Sequence, residues 1–529
     1  MNQPTTLRDK IAQLLFVRIG SNMPPAKRVN EDESRILDMI QEWPIGGLCL
    51  FNGLYPAATE TLKKLQKVVR YPLLVGTDME RGVGQQMRPA TLFPHVMAFQ
   101  AMGNAQEAVD LVEEFARIGA REALAMGVHI AFAPVADVSR NPKNPIIATR
   151  AFSTEPEEAG RLVEAFIRGS RAEGLLTCPK HFPGHGNTDQ DSHEELAQVT
   201  ASKAEMEQFD LPPFKQAFEA GAELVMTAHV AFPALDDPKT PATASHKILV
   251  TLLRHELGFT GAVITDSLLM GGIGPEDQTE ADMAVMLINA GADILLDVRN
   301  VSEIVLGVER AVEIGILSET RIDEAFNRVW KLKTHFVERF GADFFEYPEK
   351  YFAEVQIGDP ATQKRADEMA LKAVQVQKSD PAFFPLPDTK AATLVVLIKP
   401  FSTPLDPPEQ PLADALRALF PRVRYEEVSD STHPAELDAL LEIATKFQQV
   451  VVAPIVKPAA WHRFGLKPHH QAFVETLIAQ QPVVLASLGS PQLFAMLPEA
   501  AVHVCTFSDM APSQRALAVA LANGRNEGE

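Results

Sequence analysis

Short apolar runs alternate with longer amphipathic segments through the first two thirds of the chain, and few folds absorb that pattern. The runs are Leu14 to Ile19, Gly47 to Phe51, Leu73 to Asp78, His129 to Val135, Leu175 to Lys180, Leu224 to His229, Ala262 to Asp266 and Asp293 to Leu296. Most are apolar at successive positions, as strands must be when helices cover both faces of a parallel sheet. Between them, Ala105 to Met126 sets Val109, Val112, Phe115, Ala116, Ile118 and Gly119 along one stripe. Glu155 to Ala172, Lys203 to Ala220, Ser245 to Leu257 and Asp323 to Phe340 read as further helices. Eight strands alternating with helices predict an α/β fold of the (β/α)8 TIM-barrel type over residues 1–341. A doubly wound open sheet would also alternate, and the strand count decides between them.

Residues 342–390 lose this rhythm and carry clusters such as Ser379-Asp380-Pro381 and Phe384-Pro385-Leu386-Pro387, so they read as a linker. Alternation resumes over 391–529. Strand-like runs at Thr393 to Lys399, Arg424 to Val428, Val450 to Ile455, Val483 to Leu488 and Val502 to Phe507 are separated by helix-like segments. This predicts a smaller, five-stranded, flavodoxin-like α/β sandwich domain.

Composition narrows the function classes. Of 529 residues, 46% are hydrophobic, which suffices for two well-buried domains, and the formal net charge of −20 argues against a basic face for nucleic acid or an anionic membrane. Cys49, Cys178 and Cys505 each sit in or beside an apolar run, too few and too scattered for a disulfide framework or zinc site, so buried free thiols are expected. The first twenty residues lack the apolar core of a signal peptide, because Arg18 interrupts Leu14 to Ile19, and no run reaches membrane-spanning length. The expectation is a cytoplasmic enzyme acting on a small substrate, with no cofactor.

Catalytic groups of a barrel lie at the C-terminal ends of its strands. Those ends carry, in order, Asp78, Asp137, Lys180-His181, His229 and Asp266. The loop Lys180 to His193, KHFPGHGNTDQDSH, adds more proton-transfer groups than surface solvation explains. Asp266, directly after an apolar strand, reads as a nucleophile, a general base or a helix N-cap. Asp191 and His193, one residue apart, point the same way on an extended loop, so the carboxylate can fix the imidazole as an acid/base unit. Lys180 and His181 can donate to sugar hydroxyls and Asp78 can accept from them. Arg150 either reaches the same rim or pairs with an acidic neighbour such as Glu155. The spacing of His181, His185, Asp189, Asp191 and His193 matches neither a helical zinc face nor a calcium loop, so no metal is expected.

The loop Lys180 to His193 resembles the signature of glycoside hydrolase family 3, in its β-N-acetylglucosaminidase branch and two-domain form. That branch shows Lys-His-Phe-Pro-Gly-His-Gly closing in Asp-Ser-His, and every one of those residues is here. Gly76-Thr77-Asp78-Met79-Glu80, Asn144 to Phe152 and Val263 to Met270 match in the same order. Ser487 to Pro491 and Gln514 to Leu521 extend the likeness more weakly into the second domain. The resemblance implies a retaining exo-glycosidase that removes β-linked GlcNAc from peptidoglycan fragments or chitooligosaccharides. Asp266 would be its nucleophile, His193 its acid and base with Asp191 as partner, and Asp78, Arg150, Lys180 and His181 its sugar-binding set. A β-glucosidase or β-xylosidase, a phosphorylase and a catalytically silent sugar-binding protein are the alternatives. A histidine acid leaves neutral after giving up its proton, which would ease the approach of phosphate in the second step. The sequence departs from the family at Val83, where an arginine is usual; Arg81 and Arg88 are the neighbouring candidates to replace it. The segment Trp461-His462-Arg463-Phe464-Gly465 is read as a surface loop with a half-buried tryptophan, the alternative being a cap on the barrel mouth.

Overall fold

The computed structural model describes residues 2–188, 196–270, 273, 278–399, 409–458 and 465–524. Chain contacts divide it into two units, one of residues 1–91, 112–141 and 153–359, the other of residues 92–111, 142–152 and 360–529.

In the first unit the apolar runs become strands, and the sheet is parallel and curled. Its order is Leu295–Leu296, Leu15–Ile19, Gly47–Leu50, Leu74–Thr77, Ile130–Ala131, Leu176–Thr177. Leu224–Met226 and Ala262–Ile264 form a further parallel pair. Single bridges Phe182↔Thr227 and Ile264↔Ile294 join that pair to the segments beside the two edge strands. Strand residues of the sheet are buried with few exceptions, consistent with a layer covered on both faces. The intervening helices include Pro156–Glu173, Glu280–Ala290, Val301–Glu313 and Glu319–Phe340. Thr279, Asn300 and Ser318 cap the last three, each side chain accepting a backbone N–H of the first turn. Gly174, at φ +99°, ends Pro156–Glu173 in the left-handed conformation and turns the chain into the next strand.

Two expected helices differ in form. Lys203 to Ala220 is interrupted: Lys203–Glu205 passes into a wider π-type turn at Met206–Asp210, and the regular helix restarts at Pro212–Glu219. Pro212 and Pro213 have no amide to give the preceding turn, so they tolerate only the start of a helix. The segment expected at Ser245 to Leu257 is wound as a π-type helix over Lys247–Glu256.

The second unit holds a six-stranded sheet in the order Gln375–Lys378, Val502–Cys505, Val484–Gly489, Gln449–Val456, Thr393–Ile398, Val423–Val428. Five strands are parallel, and Gln375–Lys378 runs antiparallel at one edge. That edge strand and the helix Pro360–Lys372 both lie within 342–390, the stretch expected as a linker. The strand Gln-Val-Gln-Lys carries one apolar residue in four and is half-exposed to exposed throughout, which is why its sequence reads as irregular. At the centre, Gln449–Val456 is buried along its whole length. One apolar cluster joins Val395, Leu397, Val451 and Val504 to Leu412, Leu416, Leu517 and Leu521. Those leucines belong to the helices Pro411–Leu419 and Ala511–Asn523.

Candidate active site

The first unit gathers its ionisable groups just beyond the ends of its strands. Leu74–Thr77 leads into Asp78, Leu176–Thr177 into Lys180 and His181, Leu224–Met226 into His229, and Ala262–Ile264 into Asp266.

Lys180 is almost fully buried, with its Nζ 2.6 Å from Asp78 Oδ1 and 2.8 Å from Glu80 Oε1. Glu80 is buried and Asp78 is 30% exposed, so the lysine is anchored from below by one carboxylate while the other reaches open space.

Asp137 is fully buried and serves three donors. His181 Nδ1 lies 2.7 Å from its Oδ2, the His181 amide lies 3.2 Å from both oxygens, and the His185 amide donates to Oδ1 at 2.6 Å. Burial pushes this carboxyl up, but His181 and His185 outweigh it and hold the group below the usual carboxylate range. An ionised Asp137 requires a proton on His181 Nδ1, which leaves Nε2 as the ring atom available to a ligand.

Asp266 is half-buried, and its Oδ1 accepts the Ser267 amide at 2.7 Å. Burial raises it; His181 first, then His229, the Ser267 amide and Lys180 together pull it below its ordinary value. The carboxylate is therefore ionised at neutral pH, as a nucleophile must be. Beside it His229 is buried, with Nδ1 2.8 Å from Thr243 Oγ1 and Nε2 3.2 Å from the Ser267 carbonyl oxygen.

Beneath the loop that carries His181 and His185 lies Asp210. Gly184, at φ +130°, passes so close that a Cβ there would stand 2.9 Å from Asp210 Cβ. Arg140 Nη1 donates to Asp210 Oδ2 at 3.2 Å and its guanidinium covers the Phe209 ring, while Asp210 Oδ1 has no hydrogen-bond partner among the described residues. Burial pushes Asp210 up to about 7.

Of the residues expected from sequence, Asp78 and Lys180 meet directly. His181 and Asp266 are close enough for His181 to lower the pKa of Asp266. Asp191 and His193 lie outside the described residues. Arg150 belongs to the second unit, in the turn Ala148–Arg150, where its Nη1 donates to Ile146 O at 3.0 Å. Val83 is fully buried, Arg81 bonds through its amide to Gln85, and Arg88 is exposed. Trp461 to Phe464 lie outside the described residues. Glu80, Asp137 and His229 are contributors to which sequence reading assigned no role, although Asp137 and His229 follow apolar runs. All three cysteines are buried free thiols. Among the described residues no group of three or more His, Cys, Asp or Glu side chains is arranged to hold a metal ion, and no helix is long and apolar enough to cross a membrane.

The family model for the glycosyl hydrolase family 3 N-terminal domain matches residues 6–332. A beta-hexosaminidase A of Pseudoalteromonas piscicida is 31% identical over 69% of this chain and 64% of its own length. A beta-hexosaminidase of Tolumonas auensis is 34% identical over 50% of this chain and 78% of its own. The chain thus spans less than two thirds of the first of these relatives. Among solved structures, a family 3 beta-N-acetylglucosaminidase from Paenibacillus sp. superposes with a TM-score of 0.85 at 28% identity, covering 99% of this chain and 97% of that one.

Proposed function

Since the chain belongs to glycosyl hydrolase family 3, we propose that it is a retaining exo-β-N-acetylglucosaminidase acting on peptidoglycan fragments or chitooligosaccharides. The observation that carries this reading is the ionised Asp266 at a strand end, with the Asp78–Lys180 pair and His181 among the groups that end neighbouring strands. The names and likeness of the relatives support the acetamido sugar as substrate. In this reading the eight parallel strands close as a (β/α)8 barrel over 1–341, 342–390 connect the domains while lending the edge strand Gln375–Lys378 to the second sheet, and 391–529 form a flavodoxin-like sandwich. The 2-1-3-4-5 order of its parallel strands supports the last point.

The chemistry follows from the groups present. Asp266 attacks the anomeric carbon, forming a C–O bond to the enzyme as the glycosidic C–O bond breaks. His193, oriented by Asp191, gives its proton to the leaving oxygen. A water then attacks the same carbon and gives its proton to His193, and Asp266 departs as carboxylate. Asp78, Lys180 and His181 hold the sugar hydroxyls. The enzyme works in the cytoplasm on recycled wall fragments, which fractionation of cells carrying a tagged copy tests.

The primary experiment compares kcat/KM on aryl β-N-acetylglucosaminide and aryl β-glucoside at neutral pH. A large preference for the acetamido sugar is expected. Asp266→Asn abolishes turnover on both, whereas His193→Ala spares substrates whose leaving group needs no proton. Preference for the glucoside moves the protein to the β-glucosidase branch, binding without turnover makes it a sugar-binding protein, and a sugar phosphate formed in phosphate buffer makes it a phosphorylase.

A further inference from the structure

Ser267, the residue after Asp266, is held at three points. Its Oγ donates to Asp297 Oδ2 at 2.6 Å, and Asp297 is itself fixed by a two-pronged pair with Arg18, which lies over the Phe51 ring. The amide following Ser267, that of Leu268, donates to the Leu296 carbonyl at 3.0 Å. The Ser267 carbonyl faces His229 Nε2 at 3.2 Å. With residue 267 held in this way, its own N–H points at Asp266 Oδ1. Oδ1 being occupied by that amide, Oδ2 is the oxygen left to the substrate.

The hydrogen-bond directions around His229 follow from elimination. A carbonyl oxygen only accepts, so Nε2 must carry a proton. Burial holds the ring below its ordinary value, which keeps it neutral and leaves Nδ1 bare. Thr243 Oγ1, 2.8 Å away, then donates to Nδ1 and in turn accepts from Thr227 Oγ1, also at 2.8 Å. The Ala228 carbonyl, within reach of the same hydroxyl, is served by the Thr243 amide. The chain Thr227 to Thr243 to His229 to Ser267 thus runs in one direction.

We propose that His229 is a positioning residue for the nucleophile: as the Nε2–H tautomer it fixes the Ser267 carbonyl and so holds the Asp266 carboxylate in its attacking orientation. The inference rests on the reading of Asp266 as nucleophile, and it adds a residue that acts through the Ser267 backbone. A carboxylate turned away from the anomeric carbon loses reactivity without losing sugar binding, because the sugar is held elsewhere.

The test uses His229→Ala and His229→Gln in the full-length chain, with folding checked by thermal melting. On whichever aryl β-glycoside the wild type hydrolyses, His229→Ala is expected to lower kcat/KM about 100-fold. The inhibition constant of the free sugar should move less than about threefold. His229→Gln, whose amide can still donate to Ser267, should recover to within about tenfold of wild type. A folded His229→Ala variant with kcat/KM near wild type overturns the proposal, as does loss of sugar binding in parallel with rate. A second readout is independent of activity. The ring 15N resonances that vanish in His229→Gln should report a neutral Nε2–H tautomer at pH 7, and an Nδ1–H form would refute the clamp. If the wild type hydrolyses no aryl glycoside, the functional reading fails while this spectrum still decides the tautomer.

Discussion

Asp137 Oδ2 lies 2.7 Å from Nδ1 of His181, forty-four positions away, and the same carboxylate takes the amides of His181 and His185. One buried anion therefore sets both the tautomer of the His181 ring and the path of the loop that bears it. Asp137→Asn puts an NH2 group against donors it cannot accept from. The expected cost is about 3 kcal/mol of stability, with a fall of about 100-fold in kcat/KM. Since the folded pKa of Asp137 is depressed, its stabilising share is full above the ordinary carboxylate range and lost as pH falls through the lower folded value. Melting curves from pH 5 down to about 2 should show that acid-side loss in the wild type and its absence in the variant.

Glu80 anchors Lys180 from the buried side, while Asp78 shares the ammonium at the open side. Glu80→Gln keeps the shape and removes the charge, so the lysine is free to lean onto Asp78 and away from a sugar. KM is expected to rise about tenfold with kcat little changed. A fall in kcat alone, measured by initial rates over a wide substrate range, would contradict this role.

Lys333 is fully buried in the helix Glu319–Phe340; its Nζ lies 2.5 Å from Gln13 Oε1, and burial pushes it down to about 7. Between that value and the ordinary lysine range the unfolded chain binds the extra proton, so stability rises with pH there. Lys333→Met removes a penalty of about 4 kcal/mol at neutral pH and strands the Gln13 oxygen at a cost of about 2 kcal/mol. The net expectation is a variant more stable by about 2 kcal/mol at pH 7, with a flatter stability profile from pH 7 to 10, read by urea titration.

Asp210 titrates in the opposite sense. Its folded pKa is raised to about 7 by burial, so the folded chain holds a proton that the unfolded chain has released, and stability falls as pH rises from about 4 to 7. Asp210→Asn should erase that decline and equal or exceed the wild type in denaturant midpoint at pH 7.5. A variant that keeps the same slope would place the titration elsewhere.

Much of this was legible in the linear chain. Apolar runs bounded by Gly, Pro and Asp mark the strands because burial on both faces leaves no alternative, and the strand ends then name Asp78, Lys180, His181 and Asp266. Other features were not. Gln375–Lys378 is an edge strand, half-exposed to exposed throughout, so its polar residues carry no periodic signal. Residues 203–220 have the apolar spacing of one helix, yet Pro212 and Pro213 divide it.

The sequence by itself determined the alternating α/β plan and the residue types at the strand ends, because strand burial and loop chemistry are local properties of each segment. Only the tertiary structure decided which groups act on which. Glu80 against Lys180, Asp137 against His181, and His229 and Asp297 on either side of Ser267 are partnerships across 30 to 100 positions. Their energies depend on exclusion from water, and a linear chain cannot state which of its charged groups will lose their solvent together.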